Sequence, residues 1–124
     1  MLKRLFSSDM NKNKQKGTRL ENRVVRAAKK RGMEARKQPL SGQLKDFPGD
    51  CLVVDSLIEC KTGYTTERTF HLNFDWLDQI IKQAKDNKNR LGALVFRPDG
   101  TTKLYACIEF EKLLELLGEK TCTH

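Results

Sequence analysis

The fold turns on residues 48–61: Pro48-Gly49-Asp50-Cys51-Leu52-Val53-Val54-Asp55-Ser56-Leu57-Ile58-Glu59-Cys60-Lys61. Residues 50–54 (DCLVV) and 57–61 (LIECK) are two β-rich runs, and Asp55-Ser56 between them is a tight-turn signal. A two-residue turn there places Val54 opposite Leu57, Leu52 opposite Glu59 and Asp50 opposite Lys61. It also places Cys51 opposite Cys60. Side chains alternate along a strand, and opposed residues share a face. Asp50, Glu59 and Lys61 therefore emerge on one face near one end of the hairpin. Cys51, Val53, Ile58 and Cys60 form the other, apolar face.

Upstream, Thr18-Arg19-Leu20-Glu21 has capping-box spacing, and a helical pattern follows through Leu20, Val24, Ala27 and Ala28. With Gly32 as a stop, helix one is expected over 18–31. Glu34 to Lys37 reads as a short strand. Residues 39–49 read as a loop, from their Pro and Gly punctuation. Downstream, Thr69–Leu72 is a further short strand. Asn73 is an N-cap for a helix from Phe74 to about Asn89, with Trp76, Leu77, Ile80, Ile81 and Ala84 at helical spacing. Ala93–Arg97 and Lys103–Ile108 read as strands around Pro98-Asp99-Gly100. Phe110–Leu117 is an amphipathic helix stopped by Gly118. Trp76, Phe74 and Phe70 read as core or interface residues, and His71 as structural.

The expected architecture is α/β, one domain with a central mixed sheet flanked by helices. It divides into a basic N-terminal arm (1–16), a globular part (17–118) and a C-terminal tail (119–124). The 124 residues suit one core. There are 24 Lys and Arg against 16 Asp and Glu, a formal net charge of +8. That bias favours a polyanion, and no apolar run approaches the ~20 residues that span a bilayer. Without a secretory signal the four cysteines are expected reduced, in the cytoplasm, and their spacing suits no zinc site. Lys12, Lys14, Lys16, Arg19, Arg23, Arg26, Lys29, Lys30 and Arg31 cluster around the first helix and suit phosphate contact.

Two carboxylates at close range are costly unless a cation sits between them, and Mg²⁺ takes such oxygen ligands together with phosphate oxygens. The run Pro48-Gly49-Asp50, eight residues, then Glu59-Cys60-Lys61 resembles the PD-(D/E)XK nuclease motif. The resemblance implies that Asp50 and Glu59 hold Mg²⁺ (or Mn²⁺ as a substitute), with the Cys60 backbone carbonyl as a further ligand. Lys61 would orient or activate the attacking water.

Lys16-Gly17, Glu21, Arg31-Gly32 and a basic strand ending near Ser41 are similar to the archaeal-type Holliday junction resolvases (Hjc-like), found in archaea and bacteriophages. That resemblance implies a restriction-endonuclease-like fold, with Glu21 as a third acidic group at the metal. It implies Ser41 as a loop serine of the site, and Lys37 or Arg36 as the basic residue before the loop. DNA contacts would come from Lys14, Lys16, Arg19, Arg23, Arg36 and Lys37. A homodimer would resolve four-way branched DNA by paired nicks, in nucleoid or phage-infected host cytoplasm, without membrane or small-molecule cofactor. The spacing from Ser41 to Asp50 is longer than in some members. Two rivals remain: another PD-(D/E)XK nuclease of nicking or restriction type, and a non-catalytic nucleic-acid-binding module on the same fold.

Overall fold

The computed structural model describes residues 17–39 and 49–122. The basic arm with Lys14 and Lys16, and the loop segment with Ser41, lie outside the described residues.

The chain runs α1 (17–30), β1 (Ala35–Lys37), β2 (Cys51–Val53), β3 (Ser56–Thr62), β4 (Thr65–Thr66) and β5 (Thr69–Phe70). It continues through α2 (Phe74–Asp86), β6 (Leu91–Arg97), β7 (Tyr105–Cys107) and α3 (Phe110–Cys122). Five strands form one mixed sheet in the order β1-β2-β3-β6-β7. Only β3 and β6 pair in parallel; β1-β2, β2-β3 and β6-β7 are antiparallel. The parallel pair needs a crossover connection, and α2 lies within it. β4 and β5 make a separate two-stranded ribbon.

Helices cover both faces of the sheet. On one face Leu20 and Val24 of α1 pack with Cys51, Ile58, Cys60 and Ala93. On the other, Ile80 and Ala84 of α2 pack with Leu57, and Leu52 and Leu77 close around them. Leu57, Ile80, Leu94 and Cys51 are the largest fully buried side chains. Burying each Leu or Ile contributes about 1.5–3 kcal/mol. The approach of α2 to β6 is close enough to require glycine at 92: a Cβ there would lie 2.6 Å from the Ile80 carbonyl oxygen. Asn73 caps α2 as its sequence suggests, its side chain accepting from the Asp75 N–H at 2.8 Å.

Four expectations change. The hairpin turn sits at Val54-Asp55, so Cys51 faces Ile58, Leu52 faces Leu57 and Val53 faces Ser56. This is a slip of two residues, and an even slip leaves every side chain on its expected face. Its cause is the third strand. β1 pairs Ala35 with Val53, and the Val54 N–H donates to the Glu34 carbonyl at 2.8 Å. Val54 thereby adopts φ +55°, a region unfavourable to β-branched residues, at a loop position that prefers glycine or asparagine. Second, Cys51 and Cys60 are not directly opposed, although both are buried free thiols with side chains in hydrogen-bonding contact. Third, residue 17 is already helical, so Thr18 is not the N-cap of α1. Fourth, α3 continues through Gly118 to Cys122, so Gly118 does not stop the helix at Leu117.

Candidate active site

The site begins with a disturbance in the β2–β3 ladder. Cys51 is paired with Ile58, and the N–H of Asp50 donates to the Ile58 carbonyl at 2.8 Å. Two consecutive residues of one strand thus address one residue of the other, which is a β-bulge; bulges re-aim side chains. Gly49 makes the bulge possible. Its φ is +69°, and an added Cβ would lie 3.2 Å from Ile80 Cδ1 and 3.3 Å from the Ile58 carbonyl oxygen. Gln83 of α2 holds it from outside, its Oε1 accepting from the Gly49 N–H at 3.2 Å.

The re-aimed Asp50 carboxylate takes a position that backbone would otherwise fill. Its Oδ2 accepts from the Cys60 N–H at 2.7 Å. On one side it reaches the Glu59 carboxyl, and on the other the Glu21 carboxyl of α1. Glu21 is anchored over the sheet by Leu20 beside it, and its backbone carbonyl accepts from the Cys51 thiol at 3.8 Å. The Glu21 carboxyl is turned toward Asp50, with which it hydrogen-bonds.

Beside Asp50, both glutamates resist ionisation. Burial, first of all, pushes Glu59 up to about 8; its hydrogen bond with Asp50 and the Asp50 charge add to this, and Lys61 opposes it. Glu21 is also raised, mainly by burial and then by Asp50, with the nearby Lys37 pulling the other way. The Cys60 thiol is held protonated by its hydrogen bond with Cys51 and by burial, so it is no nucleophile.

Lys61 lies two residues beyond Glu59 on the same face. Its Nζ is 4.0 Å from Glu59 Oε1, and the two side chains are 24 % and 25 % exposed. The ammonium also sits 4.8 Å from the centre of the Trp76 ring. Trp76 in turn meets Tyr64 edge-on at 4.5 Å. The Glu59 carboxyl and an aromatic face therefore flank Lys61 on two sides, which restricts an otherwise mobile side chain. The sequence reading placed Trp76 in core or interface and did not connect it with Lys61. The signal was available in part, because Asn73 fixes the phase of α2 and puts Trp76 on the sheet-facing stripe with Leu77 and Ile80.

The remaining expected residues divide. Lys37 faces Cys51 across the strand pair and reaches the Glu21 side of the site; Arg36 faces Leu52 on the other face. Arg19 is exposed on α1. Arg23 donates to the Thr102 carbonyl at 2.6 Å, so its guanidinium ties α1 to the segment before β7. Among the described residues, no group of three or more His, Cys, Asp or Glu side chains forms a ready-made cage for a metal ion. A hard cation such as Mg²⁺ does not require one, since it keeps several waters and takes one or two carboxylates. Asp50 and Glu59, with backbone oxygen from Cys60, fit that manner of binding, and a cation between them would relieve the repulsion that raises Glu59.

Among the described residues no helix is long and apolar enough to cross a membrane. No protein-family model matches the chain, and no curated protein or solved structure matches it either.

Proposed function

We propose that this protein is a metal-dependent DNA endonuclease of restriction-endonuclease-like fold, acting on four-way junctions as a homodimer. One observation carries the reading: the Asp50 carboxyl stands between those of Glu21 and Glu59, with Lys61 fixed beside Glu59, on a chain of net charge +8. A solvated sheet face has no reason to gather three carboxyls against their own repulsion or to bury them partly.

In this reading Asp50 and Glu59 would hold Mg²⁺, which supplies charge to the phosphoryl oxygens and a hydroxide near neutral pH. Glu59 gives up its proton when the site is loaded. Lys61 donates toward a phosphate oxygen and orients the attacking water. Trp76 and Glu59 keep its ammonium in place, so little freedom is lost on binding. Exposed Arg19 and the arm cations hold the DNA backbone without reading sequence.

A junction with two-fold symmetry needs two equivalent cuts, which a C2 dimer supplies. Phe110, Leu113, Leu114 and Leu117 form an exposed apolar stripe along α3, and it supports pairing with a second copy.

The test is a nicking assay with Mg²⁺ on a four-way junction beside linear duplex of the same sequences. Paired nicks in the junction support the proposal. Cutting of both substrates at equal rates moves the protein to the nicking or restriction type. The alternative is a non-catalytic binding module on this fold. Tight junction binding with no cleavage in either Mg²⁺ or Mn²⁺ would establish that one.

A further inference from the structure

A second feature lies on the same face of the sheet as Lys61. In the parallel pair β3–β6, Lys61 is the partner of Phe96; in the antiparallel pair β6–β7, Phe96 is the partner of Tyr105. Partners across a ladder share a face. Lys61, Phe96 and Tyr105 therefore make one row across three strands. With strands ~4.8 Å apart, Tyr105 stands about 10 Å from Lys61 along that row.

The row ends in an open cleft of about 520 Å³. The Phe96 and Tyr105 rings are stacked at 6.0 Å, and Phe70 stacks on Phe96 at 4.3 Å. Phe70 thus supports the platform from β5, while Tyr105 is 48 % exposed and presents its ring to the cleft. Thr65, Arg68, Asp99 and Thr101 line the rest. The cleft is fixed by its own bonds: Thr65 Oγ1 accepts from the Asp99 N–H at 3.0 Å, and Arg97 donates to the Thr101 carbonyl at 3.0 Å.

We infer that this cleft takes one unstacked nucleobase of the DNA strand whose phosphate meets Lys61. The inference rests on the DNA-cleaving reading and adds a contact to it. A flat aromatic surface suits any base, because every base has a π-face. The volume falls in the range of ordinary ligand pockets, about 300–1,000 Å³. Arg68 offers a cation for the adjoining phosphate. Asp99 and Glu67 at the rim offer acceptors for the exocyclic amines of a base edge. An acidic rim would repel a bare polyphosphate, and this favours a base over a phosphate chain as the occupant. Unstacking is least costly where pairing is already broken, as it is beside a branch point.

The experiment measures binding without metal, in EDTA, so that it does not depend on cleavage. The probes are a duplex with a short central single-stranded gap carrying 5-iododeoxyuridine, and a fully paired duplex of the same length. Tyr105→Ala should weaken binding to the gapped probe about tenfold, and to the paired probe less than twofold. Tyr105→Phe should retain wild-type affinity, and photocrosslinks should map to Tyr105 or Phe96. Arg68→Ala, at an exposed position, provides a second variant should Tyr105→Ala fold poorly; it should weaken gapped-probe binding several-fold. Equal losses on both probes, no loss on either, or crosslinks confined to other residues would overturn the inference. So would saturable binding of a free deoxynucleotide that competes with the gapped probe through Tyr105, because the cleft would then be a mononucleotide site. Tyr105-dependent binding without cleavage would sink the nuclease reading alone; cleavage with Tyr105-independent binding would sink this inference alone.

Discussion

The Asp50 carboxyl accepts the backbone N–H of Cys60 at 2.7 Å, so one side chain both belongs to the acidic group of the site and closes the sheet where β2 begins. The two roles separate by substitution. Asp50→Asn keeps an oxygen acceptor for the Cys60 N–H and should leave stability within ~1 kcal/mol of wild type while abolishing cleavage. Asp50→Ala strands that N–H and should cost about 1–3 kcal/mol, read by urea denaturation. If the two variants are equally stable, the hydrogen bond contributes little.

Glu59 gives the metal-free protein a definite pH dependence. Its carboxyl is raised from the ordinary 4.5 to about 8, so between those values the folded state binds a proton that the unfolded state has lost. Stability should therefore fall as pH rises from about 4.5 to about 8 and level off above that. Glu59→Gln should remove most of this slope and stabilise the metal-free protein by ~2 kcal/mol at pH 8, after allowance for solvent screening. Mg²⁺ binding at neutral pH should release protons, detectable by calorimetry in buffers of different ionisation enthalpy. Binding with no proton release would place the ion away from Glu59.

Lys61→Ala should slow single-turnover cleavage by about 10²-fold or more, with affinity for DNA nearly unchanged. Trp76→Ala leaves the ammonium in place chemically but unsupported on one side. A smaller loss is expected, of the order of tenfold, rescued largely by Trp76→Phe. An unaltered rate in Lys61→Ala would remove this residue from the mechanism.

Gly92→Ala tests the packing that sets α2 against the sheet. The new Cβ would meet the Ile80 carbonyl at 2.6 Å and the Ala84 side chain at 3.1 Å, so helix and strand must separate. Destabilisation of about 1–3 kcal/mol is expected. Because α2 carries both Trp76 and Gln83, cleavage should fall along with stability. A thermal midpoint equal to wild type would mean that the interface yields freely.

Leu114→Glu together with Leu117→Glu should convert a dimer to a monomer in sedimentation equilibrium and leave the circular dichroism spectrum near wild type. Both side chains are more than half exposed, so neither charge is forced into a core. A dimer persisting in this variant would place the two-fold contact elsewhere.

What the sequence showed clearly was periodicity. The apolar stripe and Asn73 cap of α2, the strand character of β3 and β6, and the two faces of the 50–61 hairpin all follow from local pattern. The hairpin register did not. Asp55-Ser56 looked like the turn because polar residues favour turns, yet pairing with β1 draws the turn back onto Val54. Only a long-range contact opposes that local preference. The bulge at Asp50 was hidden for the same reason, since it depends on α2 approaching Gly49. Glu59 and Lys61 were still placed on the right face because the slip was even, whereas Asp50 reaches Glu59 through the bulge; an odd slip would have sent Glu59 into the core. Gly118 misled differently. Glycine often follows a helix, but its cost inside one is only about 1 kcal/mol, too little to end α3 by itself.

Pairing β3 with β6 in parallel also governs when the protein can assemble. Partners such as Ser56 and Leu91, or Thr62 and Arg97, are far apart in sequence, and all of α2 must be traversed before they meet. Non-local pairings of this kind are slow to form, because loop closure costs entropy before any contact rewards it. Until β6 arrives, β3 has β2 on one side and an open apolar edge on the other. A chain halted before residue 91 would carry Glu59 and Lys61 on that exposed edge, a template for pairing with other chains. Premature termination in the α2 region should therefore yield aggregates rather than a soluble, partly folded chain.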